Sequence, residues 1–211
     1  MGQAICIIVI AMDVDVGCYS AYQFYWYDSR FGCERSRVRF SECPFDYTLW
    51  PFYCECLSMC DMPSLYPHAR GILLALKEKG IDIEKGIDIA VASRSPTPDK
   101  ANTFLEKLGI KSFFVAQEIF SSWTHKTDHF QKLKQTTGVP YNEMLFFDDE
   151  NRNIQAVSKM SVTSILVDDG VDLGALRQGL AKFSQNRSAL ETNKQRWQIF
   201  SQKSTSSENQ Q

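Results

Sequence analysis

The chain has 211 residues, a formal net charge of −2, 44% apolar residues and 23% charged residues. That length suits one domain with a proper core, and the near-neutral balance gives no support to a nucleic-acid or membrane-surface partner. All seven cysteines fall in the first 60 residues, an odd, clustered count that points to reduced thiols in the cytoplasm rather than a secreted disulfide framework.

Ala4 to Met12 is an apolar run too short to span a bilayer, and it lacks the basic flank of a signal peptide. It ends in Asp13-Val14-Asp15. From Tyr19 to Cys43 the chain is aromatic and cysteine-bearing with no clean period, so residues 1–44 read as an atypical N-terminal segment.

Regular signals begin at Phe45. Ala69, Ile72, Leu73 and Leu76 recur at helical spacing between Pro67 and Gly80. Glu78–Ile83 and Glu84–Ile89 are the same hexapeptide twice, a tandem insertion that lengthens a helix–strand loop. Ile87 to Ala92 predicts a strand ending at Ser93-Arg94. Thr97-Pro98 opens a helix with Ala101, Phe104, Leu105 and Leu108 on one face, closed by Gly109. A short strand follows at Ser112 to Val115. Thr127 caps a third helix that carries Phe130 and Leu133 and stops at Gly138.

Met144 to Phe147 then runs straight into Asp148 and Asp149. Such a run suits a strand buried on both faces, and ligands of open α/β sheets lie beyond the carboxyl ends of their strands. Adjacent carboxylates repel unless a cation compensates, and oxygen-only ligation suits Mg²⁺. A helix through Ile154 and Val157, a strand from Val162 to Val167 and a last helix from Leu173 to Phe183 complete the series. Strands alternating with helices predict an α/β fold, a parallel sheet covered on both faces, with its core at 45–183. The polar tail, 184–211, is expected to be disordered.

Four polar clusters fall at strand ends: Asp46 with Tyr47 and Thr48, then Ser93-Arg94, then Lys126, then Asp148-Asp149. Carboxylates that hold Mg²⁺, a hydroxyl and cation that take phosphoryl oxygens, and a carboxyl that moves a proton are what phosphoryl transfer needs. Arg94 and Arg152 face either phosphate or solvent. Trp50 and Phe52 either line the site's mouth or pack. His125 and His129 lack a Ser or Cys partner, so no His-based triad is read.

The motifs Asp-Tyr-Thr-Leu-Trp-Pro-Phe, Ala-Ser-Arg-Ser, Thr-His-Lys-Thr-Asp-His-Phe and Phe-Phe-Asp-Asp-Glu-Asn-Arg-Asn-Ile resemble the plant-type members of the magnesium-dependent phosphatase family. That family belongs to the haloacid dehalogenase superfamily, and the resemblance covers about Phe45 to Phe183. It implies a Rossmann-like parallel sheet with a minimal cap or none, Mg²⁺, and hydrolysis of phosphotyrosine or sugar phosphates through an aspartyl-phosphate. By the same resemblance Asp46 is the acid/base and lends its carbonyl to the metal, Ser93 holds the phosphoryl group with Arg94 beside it, and Lys126 neutralises it. Asp148 matches a Mg²⁺ ligand, and Asp149 a ligand or a carboxylate behind one.

Where the family has its nucleophilic aspartate, two residues before Asp46, this chain has Pro44, which carries no carboxylate. Asp13 and Asp15 follow an apolar run as that motif should, yet Gly17 stands where the family has Thr. The run therefore reads first as a hydrophobic segment with a polar stop, and second as a substitute. The alternative to an active phosphatase is an inactive member that binds a phosphorylated ligand or protein.

Overall fold

The computed structural model describes residues 6–11, 25–28, 33–36, 48–51, 57–78, 87–168 and 170–208. Asp13, Asp15, Pro44, Asp46 and Phe52 lie outside them. In chain order the strands are β1 (Cys6–Ala11), β2 (Tyr25–Asp28), β3 (Cys33–Ser36), β4 (Ile87–Ser93), β5 (Phe114–Ile119), β6 (Met144–Asp148) and β7 (Thr163–Leu166). The helices are α1 (Ala69–Glu78), α2 (Pro98–Lys107), α3 (Thr127–Thr137), α4 (Asn151–Ser158) and α5 (Leu173–Glu208).

Five strands form one parallel sheet in the order β5-β4-β1-β6-β7, and β2 pairs with β3 as a separate antiparallel hairpin. Successive residues of a strand point to opposite faces, and β1 shows this directly. Ile8 and Ile10 join the cluster built with α1, α2 and α5, which includes Leu73, Phe104 and Phe183. Val9 joins the opposite cluster, with Phe130 of α3 and Val157 of α4. Two helical layers therefore sandwich the sheet, as the α/β expectation required.

The core does not begin at Phe45. Its central strand is β1, drawn from the segment read as atypical, with partners on both sides: Ala11 pairs with Ala92, and Ile10 with Phe147. The physical reason is burial on both faces. Ile8, Val9 and Ile10 are at most 1% exposed, a place that only a continuous apolar run can fill. Arg37 to Cys43, the stretch that precedes Phe45, carries Arg37, Arg39 and Glu42 and would bury charges without partners.

Other boundaries moved less. β5 runs from Phe114 to Ile119 after a short 3-10 turn at Lys111–Phe113, later than the strand expected from Ser112. α5 continues to Glu208, past the expected end at Phe183. Lys182 donates to the carbonyl of Ser164 at 3.0 Å, and Asn186, past Phe183, donates to Thr163 Oγ1 at 2.9 Å, so polar contacts tie α5 to β7 on both sides of the expected end. Cys60 is disulfide-bonded, unlike the reduced thiols expected there. Among the described residues no helix is long and apolar enough to cross a membrane.

The place of β1 generates a stability prediction. Truncation of a buried Ile leaves a cavity, so Ile10→Ala should lower the unfolding free energy by about 2–5 kcal/mol. Urea unfolding followed by circular dichroism measures it. A loss near zero would remove Ile10 from the core.

Candidate functional site

Parallel pairing brings three strand ends to one edge of the sheet. Ser93 closes β4, Asp148 closes β6, and Ala11 closes β1 between them. The loop after β5 adds Lys126 to this edge, immediately before α3.

Lys126 reaches the site through an unusual backbone. His125 and Lys126 have φ of 48° and 67°, both left-handed, and Lys126 is the N-cap residue of α3. Side chains other than glycine adopt that region at a cost of roughly 1–2 kcal/mol each. The turn sends the lysine inward, where it is fully buried and its Nζ donates to Asp148 Oδ2 at 2.8 Å. Phe146 supplies an aromatic face 5.7 Å from the same ammonium.

Asp148 is equally buried, and further donors converge on it. Its Oδ1 accepts the Glu150 N–H at 2.6 Å, and Asn153 Nδ2 lies 3.2 Å from each carboxylate oxygen. Asn153 stands in the first turn of α4, five residues after Asp148, which lets one short loop bring it back over the strand end. A buried charge tolerates its position only when paired and hydrogen-bonded in this way.

Asp149 accepts from Thr48 Oγ1 at 2.7 Å, while the Thr48 carbonyl accepts from the Val171 N–H at 2.9 Å. The segment that follows Asp46 is thereby fixed at the site, and Asp46 precedes Thr48 by two residues. Ser93 is 1% exposed and its Oγ accepts from the Ser95 N–H at 3.2 Å, which leaves the hydroxyl hydrogen able to donate.

Of the site residues read from sequence, Ser93, Lys126, Asp148 and Asp149 are found at one edge of the sheet. Arg94 is nearby but its Nη2 donates to Glu150 Oε2 at 2.6 Å, and Arg152 takes the other oxygen of Glu150 at 2.7 Å. Both arginines therefore meet one carboxylate. Trp50 is packing rather than a rim: it is 2% exposed and meets Phe104 edge-on at 6.4 Å. Glu150 and Asn153 were given no role from sequence, although the spacing of Asn153 from Asp148 was a usable signal, and Thr48 was named there only as a neighbour of Asp46. His129 was set aside as no triad member; it is fully buried, with Nε2 at 2.8 Å from the Ser93 carbonyl.

Among the described residues no group of three or more His, Cys, Asp and Glu side chains is placed to hold a metal. The donors present are hard oxygens, those of Asp148 and Asp149, which suit Mg²⁺ rather than a soft metal. The other carboxylates of the sequence motifs, Asp13, Asp15 and Asp46, are outside the described residues.

A family model described as acid phosphatase matches residues 44–186. Magnesium-dependent phosphatase 1 of Homo sapiens is 36% identical over 157 residues, covering 66% of this chain and 84% of that protein. A HAD-like hydrolase superfamily protein of Schizosaccharomyces pombe is 29% identical over 153 residues, covering 60% of this chain and 85% of its own length. A crystal structure of a predicted phosphoglycolate phosphatase from Haemophilus somnus aligns with a TM-score of 0.44 at 22% identity, over 53% of this chain and 48% of that one. The family match starts at residue 44, so β1 precedes the matched stretch.

The buried pair yields a prediction of its own. Removing one partner strands the other charge, so Lys126→Met and Asp148→Leu should each destabilise the fold by about 3–5 kcal/mol. The double variant should lose clearly less than the sum of the two, as coupled neighbours do. Urea unfolding of the four proteins measures this, and strict additivity would mean that the pair is not formed.

Proposed function

The chain belongs to the acid phosphatase family within the haloacid dehalogenase superfamily, and from that premise we propose that it is a Mg²⁺-dependent hydrolase of phosphomonoesters. The observation that carries this reading is the convergence of Ser93, Lys126 and Asp148, all at most 1% exposed, at the carboxyl edge of a parallel sheet. Burying such groups costs free energy that apolar packing would not, which supports a binding or reacting role for them.

In the proposed reaction the Ser93 hydroxyl and the Lys126 ammonium donate to oxygens of the phosphoryl group, in charge-assisted hydrogen bonds. Lys126 turns its donors from Asp148 toward that anion. Asp148, with Asp149 beside it, would hold Mg²⁺, which supplies charge neutralisation when bound. Arg94 can add a contact by exchanging one Glu150 oxygen for a phosphoryl oxygen.

The covalent step needs a carboxylate that Pro44 cannot offer, and the central place of β1 supports Asp13 in that role. Asp13 follows the end of β1 by two residues in sequence. Its carboxylate oxygen would bond to phosphorus as the bond to the leaving oxygen breaks. Asp46 would give that oxygen its proton, and would then take one from the water that hydrolyses the aspartyl-phosphate.

For the organic part of the substrate we propose an aryl or sugar group, as in phosphotyrosine or a sugar phosphate, with the protein acting in the cytoplasm. Trp123 lies three residues before Lys126 in the same loop and is 88% exposed, a flat face against which a ring can pack.

Two experiments test this. Calorimetric titration with Mg²⁺ should give binding heat for the parent and none for Asp148→Asn; equal heats would send the metal elsewhere. Turnover of a chromogenic phosphomonoester should fall by about three powers of ten or more in Asp13→Asn, as expected for loss of a covalent nucleophile. Pro44→Asp should leave the rate unchanged. A large gain in Pro44→Asp would instead assign the attack to that position, and silence from parent and variants alike would leave a phosphate-binding protein without turnover.

A further inference from the structure

Ser93 and Lys126 come from different elements, and a third residue joins them. His129 is fully buried in the first turn of α3, three residues after Lys126. Its Nε2 lies 2.8 Å from the Ser93 carbonyl and 3.0 Å from the Phe120 carbonyl. Both partners can only accept, so Nε2 carries the proton and donates to both, which fixes the tautomer by elimination. The Ser93 carbonyl also accepts the Phe120 N–H at 3.0 Å. One imidazole therefore ties the last residue of β4, the residue after β5 and the start of α3 to a single point.

The ring is held in turn. It stacks on Phe120 with centroids 3.9 Å apart and planes 5° from parallel, and Lys132 Nζ lies 3.7 Å from the Phe120 ring centroid. An apolar side chain would fill this volume without the desolvation that an imidazole demands. What an apolar residue could not supply is a donor to two buried carbonyls at once.

Resting on the phosphatase reading above, we propose that His129 is a positioning residue that sets the separation of the Ser93 hydroxyl from the Lys126 ammonium, and so the fit of the site to a phosphoryl group. It touches no reacting atom. Its hydrogen bonds hold the backbone of one phosphate-binding residue against the helix that starts next to the other.

Phosphate binding in the presence of Mg²⁺ tests this by calorimetry, with the parent, His129→Phe, His129→Gln and Lys126→Ala. Phenylalanine keeps the stack and removes the donor; glutamine keeps a donor and removes the stack. Losing a buried donor should weaken phosphate binding about tenfold in His129→Phe, whereas His129→Gln should stay within about threefold of the parent. Thermal midpoints without phosphate are measured alongside, and both variants should fall by similar amounts, so that stability cannot produce the split in affinity.

Equal affinity in parent and His129→Phe would overturn the proposal, as would parallel losses in the Phe and Gln variants. A measurement on the unmutated protein covers the case of a variant that does not fold. With ¹⁵N-labelled histidine, the His129 Nε2–H resonance should shift on saturation with phosphate, and a resonance that stays put would overturn the proposal. A parent that binds no phosphate removes the phosphatase reading and this inference together. A parent that binds it and loses it in Lys126→Ala, but not in His129→Phe, removes this inference alone.

Discussion

The organisation of the site follows from one buried ion pair, Lys126 Nζ on Asp148 Oδ2 at 2.8 Å with neither side chain exposed. Two charges withdrawn from water lose several kcal/mol of hydration each, and only close pairing with additional hydrogen bonds offsets that loss. The surroundings meet this requirement atom by atom rather than by bulk. Asp148 accepts from the Glu150 backbone and from Asn153, which draws the start of α4 over the end of β6. Lys126 attains its place only through two left-handed residues before α3. Backbone strain and helix placement are thus consequences of where the charges must sit.

A second constraint is the slot between β4 and β6. It lies at the middle of a sheet covered on both faces, so its occupant must be apolar on both faces and long enough to pair with both neighbours. Cys6–Ala11 satisfies this, with Ile8 and Ile10 facing one cluster and Val9 the other. The strand and the Thr48 segment then reach the same edge from distant parts of the sequence, since Thr48 bonds to Asp149 next to the end of β6. The residues between β1 and Thr48, which include the β2–β3 hairpin, bridge the two.

Much of the architecture was legible from periodicity. α1 and α2 showed in their apolar spacing, β6 in its uninterrupted apolar run, and the ends of α2 and α3 in Gly109 and Gly138, which have φ of 66° and 72°. The positions of Ser93 at the end of β4, Lys126 before α3 and Asp148 at the end of β6 were legible from motif spacing. The central strand was misjudged because motif order assigned the core to the chain after Phe45, while burial, a tertiary property, selected the most apolar segment available. The extent of α5 escaped for a related reason: Lys182, Asn186 and Arg187 make polar contacts with β7 and Glu143 that no hydrophobic period announces. His129 was passed over because a histidine was sought as a catalyst with a nucleophile, and its partners are backbone carbonyls that sequence does not display.

Glu150 gives the arginines of the site a carboxylate of their own, apart from Asp148. Its two oxygens engage Arg94 and Arg152, and Asn153 donates to it while also donating to Asp148. The charges thus form two neighbouring groups, Lys126 with Asp148 and both arginines with Glu150. The arrangement keeps one lysine and one aspartate together in the buried layer and leaves the arginines in the more exposed one. On the proposed function, an anion entering the site would meet Lys126 as a partner of Asp148, and its binding would be an exchange of acceptors on an ammonium already in place. Such an exchange requires little reorganisation, because the αL turn and the first turn of α3 hold the lysine where it is.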